Sequence, residues 1–153
     1  MSGTCGVVTA ADLMDGMSWA AGLPVASVAT NLNPANVINV SVGVPGEACT
    51  THQTAIDAII ATGAVIVAAA GDNNSTTIDF PANCDGVITV AATDEAGNRA
   101  SYSNYGSTVE ISAPGGGNSL GDVISTTNSG TTTPNILDAT RYAPKTGTGI
   151  AAA

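Results

Sequence analysis

The sequence predicts an α/β fold built on a parallel sheet. Helical stretches alternate with short apolar strands, the order that right-handed crossovers and a parallel sheet require. The run 65–70 has no polar alternation, the mark of a strand buried on both faces. Aromatic residues make up only 3% of a chain that is 44% hydrophobic, so the core must be built from Ala, Val and Ile. One core fits within 153 residues, and no internal repeat or interdomain linker interrupts them.

Thr9-x-x-Asp12 is a capping-box-like start for a first helix. Leu13, Met14, Met17, Ala20 and Ala21 follow at helical spacing, and Gly22 stops the run. The Met and Trp residues of this helix are expected in the core. A β-branched strand follows at 37–42. Thr50 or Thr51 is then expected to cap a second helix, with Ala55, Ile56, Ile59 and Ile60 on one face and Gly63 past its end. Strands are expected at 65–70, 87–92 and 109–112, with a short one at 123–125. Residues 71–86 and 113–145 are rich in turn formers, including Gly115-Gly116-Gly117 and Thr131-Thr132-Thr133-Pro134, and are expected to be irregular.

Charge excludes some functions. The formal net charge is −9, with only Arg99, Arg141 and Lys145 positive, which argues against nucleic acid as a partner. No apolar run approaches the roughly 20 residues that a membrane-spanning helix needs. No signal peptide is visible at Met1-Ser2-Gly3-Thr4-Cys5.

A series of short blocks carries a family resemblance. Gly16-Met17-Ser18-Trp19-Ala20-Ala21-Gly22, Val37-Ile38-Asn39-Val40-Ser41-Val42-Gly43 and Val65-Ile66-Val67-Ala68-Ala69-Ala70-Gly71-Asp72 come first. Phe80-Pro81-Ala82-Asn83-Cys84, Ser101-Tyr102-Ser103-Asn104-Tyr105-Gly106 and Ala113-Pro114-Gly115 follow. Thr146-Gly147-Thr148-Gly149-Ile150-Ala151-Ala152 closes the series. In kind and order these resemble the landmarks of subtilisin-like serine proteases, above all secreted bacterial subtilases with extra disulfides. The resemblance covers nearly the whole chain and implies a partial doubly wound parallel sheet that lacks the family's N-terminal strands. Residues 1–153 are then one partial subtilase-like domain.

The resemblance also places a site. Gly149 stands where the family's G-T-S-M-A-A motif has the nucleophilic serine. Asp72 stands where the family has the oxyanion-hole asparagine. An ionised aspartate only accepts hydrogen bonds, whereas a protonated one could donate. Taken without the resemblance, Asp72-Asn73-Asn74 is a polar turn. Ser41, Val42 and Gly43, with Ala69, Ala70 and Gly71, would wall the pocket for the side chain before the scissile bond and bind an extended peptide. Read without the family, both segments are strand ends. The family's catalytic Asp and His precede the serine, and this chain is expected to start after both, because its only histidine, His52, does not resemble the family block. A protease fragment inactive in peptide hydrolysis is therefore expected. A peptide-binding or assembly module, or a weak esterase using a hydroxyl such as that of Thr148, stands as the alternative.

In the disulfide-rich relatives, positions similar to Cys49 and Cys84 are bridged. That pairing is expected here, with two reduced buried thiols as the other reading. Cys5 is left free or paired with another molecule. No cofactor is expected. Asp72, Asn73, Asn74, Asp79 and Asp85 offer oxygens that suit calcium, but in no loop motif, so turn chemistry is favoured. The resemblance makes the strand at 37–42 an exposed apolar edge, which predicts a homo-oligomer through that edge.

Overall fold

The computed structural model describes residues 8–117, 122–127 and 142–153. Helix α1 spans Ala10–Ala20 and α2 spans Gln53–Ala61. Strands β1 (Val37–Val40), β2 (Val65–Ala69), β3 (Ile88–Thr93) and β4 (Ile111–Pro114) form one sheet in the order β1-β2-β3-β4, every pair parallel. Strands β5 (Val123–Thr126) and β6 (Tyr142–Lys145) form a separate antiparallel pair, and a four-residue helix α3 (Thr148–Ala151) follows.

The first helix starts as its residues dictate. The Thr9 hydroxyl accepts the Asp12 N–H at 3.1 Å and donates to the Asp12 carboxylate at 2.8 Å. Met14, Met17 and Ala21 are buried, and Leu13 and Ala20 pack against the same core. Gly22 leaves the helix at φ 81°, a conformation that favours glycine. Trp19 departs from expectation. It is 42% exposed, and its indole N–H donates to the Ala29 carbonyl at 2.8 Å. The ring lies across the surface because that polar partner is there.

The second helix also begins differently from expectation. Neither Thr50 nor Thr51 caps it. A 3-10 turn occupies Cys49–Thr51, and His52 is the N-cap without a side-chain bond. Ile56 and Ile59 are fully buried, Ile60 is partly so, and Ala55 faces out. Cys49 and Cys84 form a disulfide with their Cα atoms 5.2 Å apart. Cys5 and the run 131–134 lie outside the described residues.

Helices α1 and α2 share one apolar cluster with Ile38 and Val40 of β1 and Ile66 and Ala68 of β2. Helix α3 touches β2, β3 and β4. Only the crossover from β1 to β2 carries a helix. The links from β2 to β3 and from β3 to β4 are irregular. Strand β2 is buried from Ile66 onward apart from half-buried Val67, but Val65 at its open end is 43% exposed, so full burial on both faces does not reach that end. The fourth strand is displaced two residues from expectation, to Ile111–Pro114. Strand β6 was not expected. It carries Pro144 opposite Ile124, and proline fits a strand only where no ladder hydrogen bond is needed, as in a two-stranded ribbon. Among the described residues β1 has a neighbour on one side only, with Val37 exposed.

Candidate active site

The C-terminal ends of β1 and β2 and the start of α3 enclose a cavity of about 490 Å³. Such crevices beyond strand ends are where open α/β sheets bind ligands. Ser41, Val42 and Gly43 line one side, Ala69, Gly71 and Asp72 another, and Thr148 and Gly149 a third. Residues picked from separate sequence blocks therefore meet at one cavity. Ala70 is the exception. It is fully buried and belongs to the apolar cluster under the sheet, not to the cavity. Strand alternation is the reason: Ala69 and Ala70 point to opposite faces, so only one reaches the cavity.

Gly149 lies against the end of β1. The Ser41 hydroxyl donates to the Gly149 carbonyl at 2.8 Å and accepts from Asn39 Nδ2 at 3.1 Å. A Cβ on Gly149 would stand 2.7 Å from the Ser41 carbonyl oxygen, so the absence of a side chain lets the two backbones approach.

Asp72 is held by α3. Its Oδ1 accepts both the backbone N–H and the hydroxyl of Thr148, each at 2.8 Å. The same hydroxyl accepts the Gly71 N–H at 3.1 Å, and Thr148 is buried. Asp72 thus closes the first turn of α3 from another segment. Thr148 stands inside that helix and is not its cap, since Gly147 is the N-cap. The carboxylate accepts from Thr148 where an oxyanion hole would need a donor pointing into the cavity.

Asn104 and Tyr102 carry structural roles at the site that the sequence did not single out, and Asp79, considered there only among oxygens that suit calcium, lines the cavity itself. Asn104 is fully buried at the corner between β2 and the cavity. Its Nδ2 donates to the Ala70 carbonyl at 3.0 Å and the Thr77 carbonyl at 3.1 Å, and its Oδ1 accepts the Asn73 and Ser75 N–H groups at 3.0 Å. It replaces the regular hydrogen bonds that the loop after β2 lacks. Asp79 also lines the cavity and is only 6% exposed. Burial first, then the Asp72 carboxylate, pushes the Asp79 carboxyl above its usual range. The sequence signal for it was an acid inside an apolar run, Ile78-Asp79-Phe80-Pro81. Tyr102 pins the chain entering α3: its hydroxyl accepts the Gly147 N–H at 3.1 Å and lies 2.7 Å from the Gly115 carbonyl oxygen. Burial, the largest effect, raises the pKa of that phenol.

His52 is elsewhere. Its ring sits 2.9 Å from the Glu47 carboxylate and packs on Phe80, and it does not line the cavity. Among the described residues no three His, Cys, Asp or Glu side chains converge on a metal position. Within the oxygen-rich set, Asp72 binds Thr148 and Asn74 accepts from Arg99 at 2.9 Å.

The subtilase family model matches residues 3–153. The chain belongs to the subtilase family. It is 44% identical over 150 residues to an extracellular protease of Xanthomonas campestris pv. campestris, covering 97% of this chain and 24% of that one. It is 38% identical over 151 residues to an extracellular basic protease of Dichelobacter nodosus, covering 98% and 24%. Among solved structures, a protease of Pseudoalteromonas arctica superposes with a TM-score of 0.86 at 42% identity, over 98% of this chain and 44% of that one. A cold-adapted subtilisin-like serine proteinase gives a TM-score of 0.67 at 26% identity, over 97% and 45%. The chain spans about a quarter of the length of these curated relatives. The four-stranded parallel sheet is the subtilase α/β arrangement, and the Cys49–Cys84 bridge is present.

Proposed function

We infer that this chain is part of the catalytic domain of an extracellular subtilisin-like endopeptidase, that it binds extended peptide, and that it does not hydrolyse it. The observation that carries the reading is Gly149. It lines the cavity, the resemblance puts the family's nucleophile at its position, and it has no side-chain hydroxyl to attack with. Acyl transfer by this family's route needs a serine, a histidine to take its proton and an aspartate to orient the imidazole. The sequence has one histidine, and His52 faces Glu47 and Phe80. The Thr148 hydroxyl is no substitute, because it is buried and already donates to Asp72.

Peptide binding is supported by the survival of the two cavity sides. Ser41 to Gly43 continue past β1, whose residues Val37–Val40 have a strand neighbour on one side only among the described residues, and such an open edge accepts a peptide as an added strand. The same edge supports a second reading, self-assembly through β1. Val37 is 60% and Val42 is 49% exposed there. Light scattering decides between them: a dimer or larger species supports assembly, and a monomer at all concentrations removes it.

The test of inactivity is hydrolysis of a peptide p-nitroanilide and a short-chain p-nitrophenyl ester, from acid to alkaline pH. No turnover of either is expected. Turnover that disappears in Thr148→Val or Asp72→Ala, or under a serine-hydrolase inhibitor, overturns the reading and assigns a hydrolase site outside the triad.

A further inference from the structure

A second cavity, of about 350 Å³, opens on the outer face of α1 and shares no lining residue with the peptide cavity. Asp12, Asp15, Gly16 and Trp19 form its helix side, one stripe at i, i+3, i+4 and i+7 spacing, and Val25 and Val28 form its loop side. Gly16 opens the space. A Cβ there would meet nothing within 4 Å, so crowding does not call for glycine. Glycine inside a helix destabilises it relative to alanine, and the fold alone does not account for this one.

The walls are preformed. The Trp19 indole N–H donates to the Ala29 carbonyl at 2.8 Å, and Asn31 Nδ2 donates to the Trp19 and Ala20 carbonyls at 3.2 Å each. These bonds fix ring and loop against the end of α1 while the ring stays exposed. Val28 is exposed on the same loop. Asp12 holds the Thr9 hydroxyl through one oxygen only. Asp15 is exposed and enters no ion pair among the described residues, and no Lys or Arg lines the cavity.

An aromatic face beside carboxylates attracts a cation, and apolar walls favour one carried on an alkyl stem. Arginine meets both demands at once, because its planar guanidinium stacks on an indole and forks to a carboxylate. A choline headgroup brings a phosphate that two aspartates repel. A second copy of this chain, at −9, is repelled as a whole. We propose that this cavity on α1 is a docking site for a basic partner protein, anchored by an arginine side chain laid on Trp19 and paired with Asp15.

Trp19 is the sole tryptophan, so its fluorescence reports on this cavity. The probes are a short blocked peptide with a central arginine, its citrulline twin and phosphatidylcholine vesicles. Citrulline keeps the shape of the side chain and removes its charge. The arginine peptide is expected to shift Trp19 emission and to bind about 10-fold more tightly than the citrulline twin, the sum of an exposed cation–π contact and an exposed ion pair. Asp15→Asn should lower that ratio several-fold, while Glu95→Gln, which removes an exposed acid elsewhere, should leave it unchanged. Gly16→Leu fills the cavity from a position with no close neighbour, so it should keep or raise Tm and abolish binding. Binding that persists in Gly16→Leu, or a citrulline peptide that binds as well, overturns the proposal. A response to vesicles, or to rising protein concentration alone, without one to the arginine peptide also overturns it and assigns the surface to a membrane or to a second copy. No response to any probe removes the site. The wild-type ratio decides the matter even where a variant does not fold.

Discussion

The two sides of the cavity are built differently. The side at the end of β2 comes from a strand with neighbours on both flanks, Asn104 and Thr148 brace it with buried hydrogen bonds, and Asp72 adds partly buried ones to Thr148. The side at the end of β1 comes from an edge strand, and the Ser41 hydroxyl is its side-chain tie to α3. The family landmarks look equivalent on the page, yet one side is over-determined and the other is lightly held. The edge side is therefore the one that yields when the cavity contents change.

The largest effect should come from breaking the braced side. Asn104→Ala strips partners from the Ala70 and Thr77 carbonyls and the Asn73 and Ser75 N–H groups, and should cost about 3–5 kcal/mol in urea denaturation. A cost near zero would mean that the two sides do not differ. The Cys49–Cys84 bridge ties the segment after the β1 side to the loop after Asp79. Replacing both cysteines by Ala should cost about 3–4 kcal/mol by loop closure, with a matching drop in Tm.

Gly149→Ser probes the lightly held side. Its Cβ meets the Ser41 carbonyl at 2.7 Å, so β1 must give way, at about 1–3 kcal/mol. Amide shifts should move at Ser41 to Gly43 and stay fixed at Asn104. Peptide hydrolysis should not appear, since a serine alone lacks its base.

Asp79→Asn should act in the opposite sense. The folded carboxyl titrates above its ordinary 3.8, so the folded state binds the proton more tightly than the unfolded chain. Stability is thus lost as pH rises from the ordinary carboxylate range through the raised folded value. The variant should raise Tm at neutral pH, and the gain should vanish below the ordinary value, where both states are protonated. A gain that persists at acid pH would refute that cause. Ser41→Ala should have the smallest effect, below about 1 kcal/mol, because its bond to Gly149 is near the surface.

The sheet was legible because β-branched runs and a sharply patterned helix leave few alternatives. Ser41, Val42, Gly43, Ala69, Gly71 and Gly149 could be placed together through the family motifs, which encode strand ends and a turn. Ala70 was misplaced because a motif names neighbours without saying which face each takes. Asn104 was missed, and Asp79 was considered only among oxygens that suit calcium, because their places at the cavity exist only once the irregular loop at 71–86 folds back over β2. Strand β6, and with it the pairing of the expected strand at β5, was missed because Pro144 breaks strand patterning where the pairing itself does not need its N–H.

The Ser41–Gly149 contact joins residues 108 apart in sequence. Loop-closure entropy must be met before such a contact stabilises anything. The cavity should then be among the last parts to form in refolding, after the compact β1–α2–β2 unit. A ligand of the cavity would report the finished fold and ignore collapsed intermediates, which makes pocket occupancy a clock for the final step of folding.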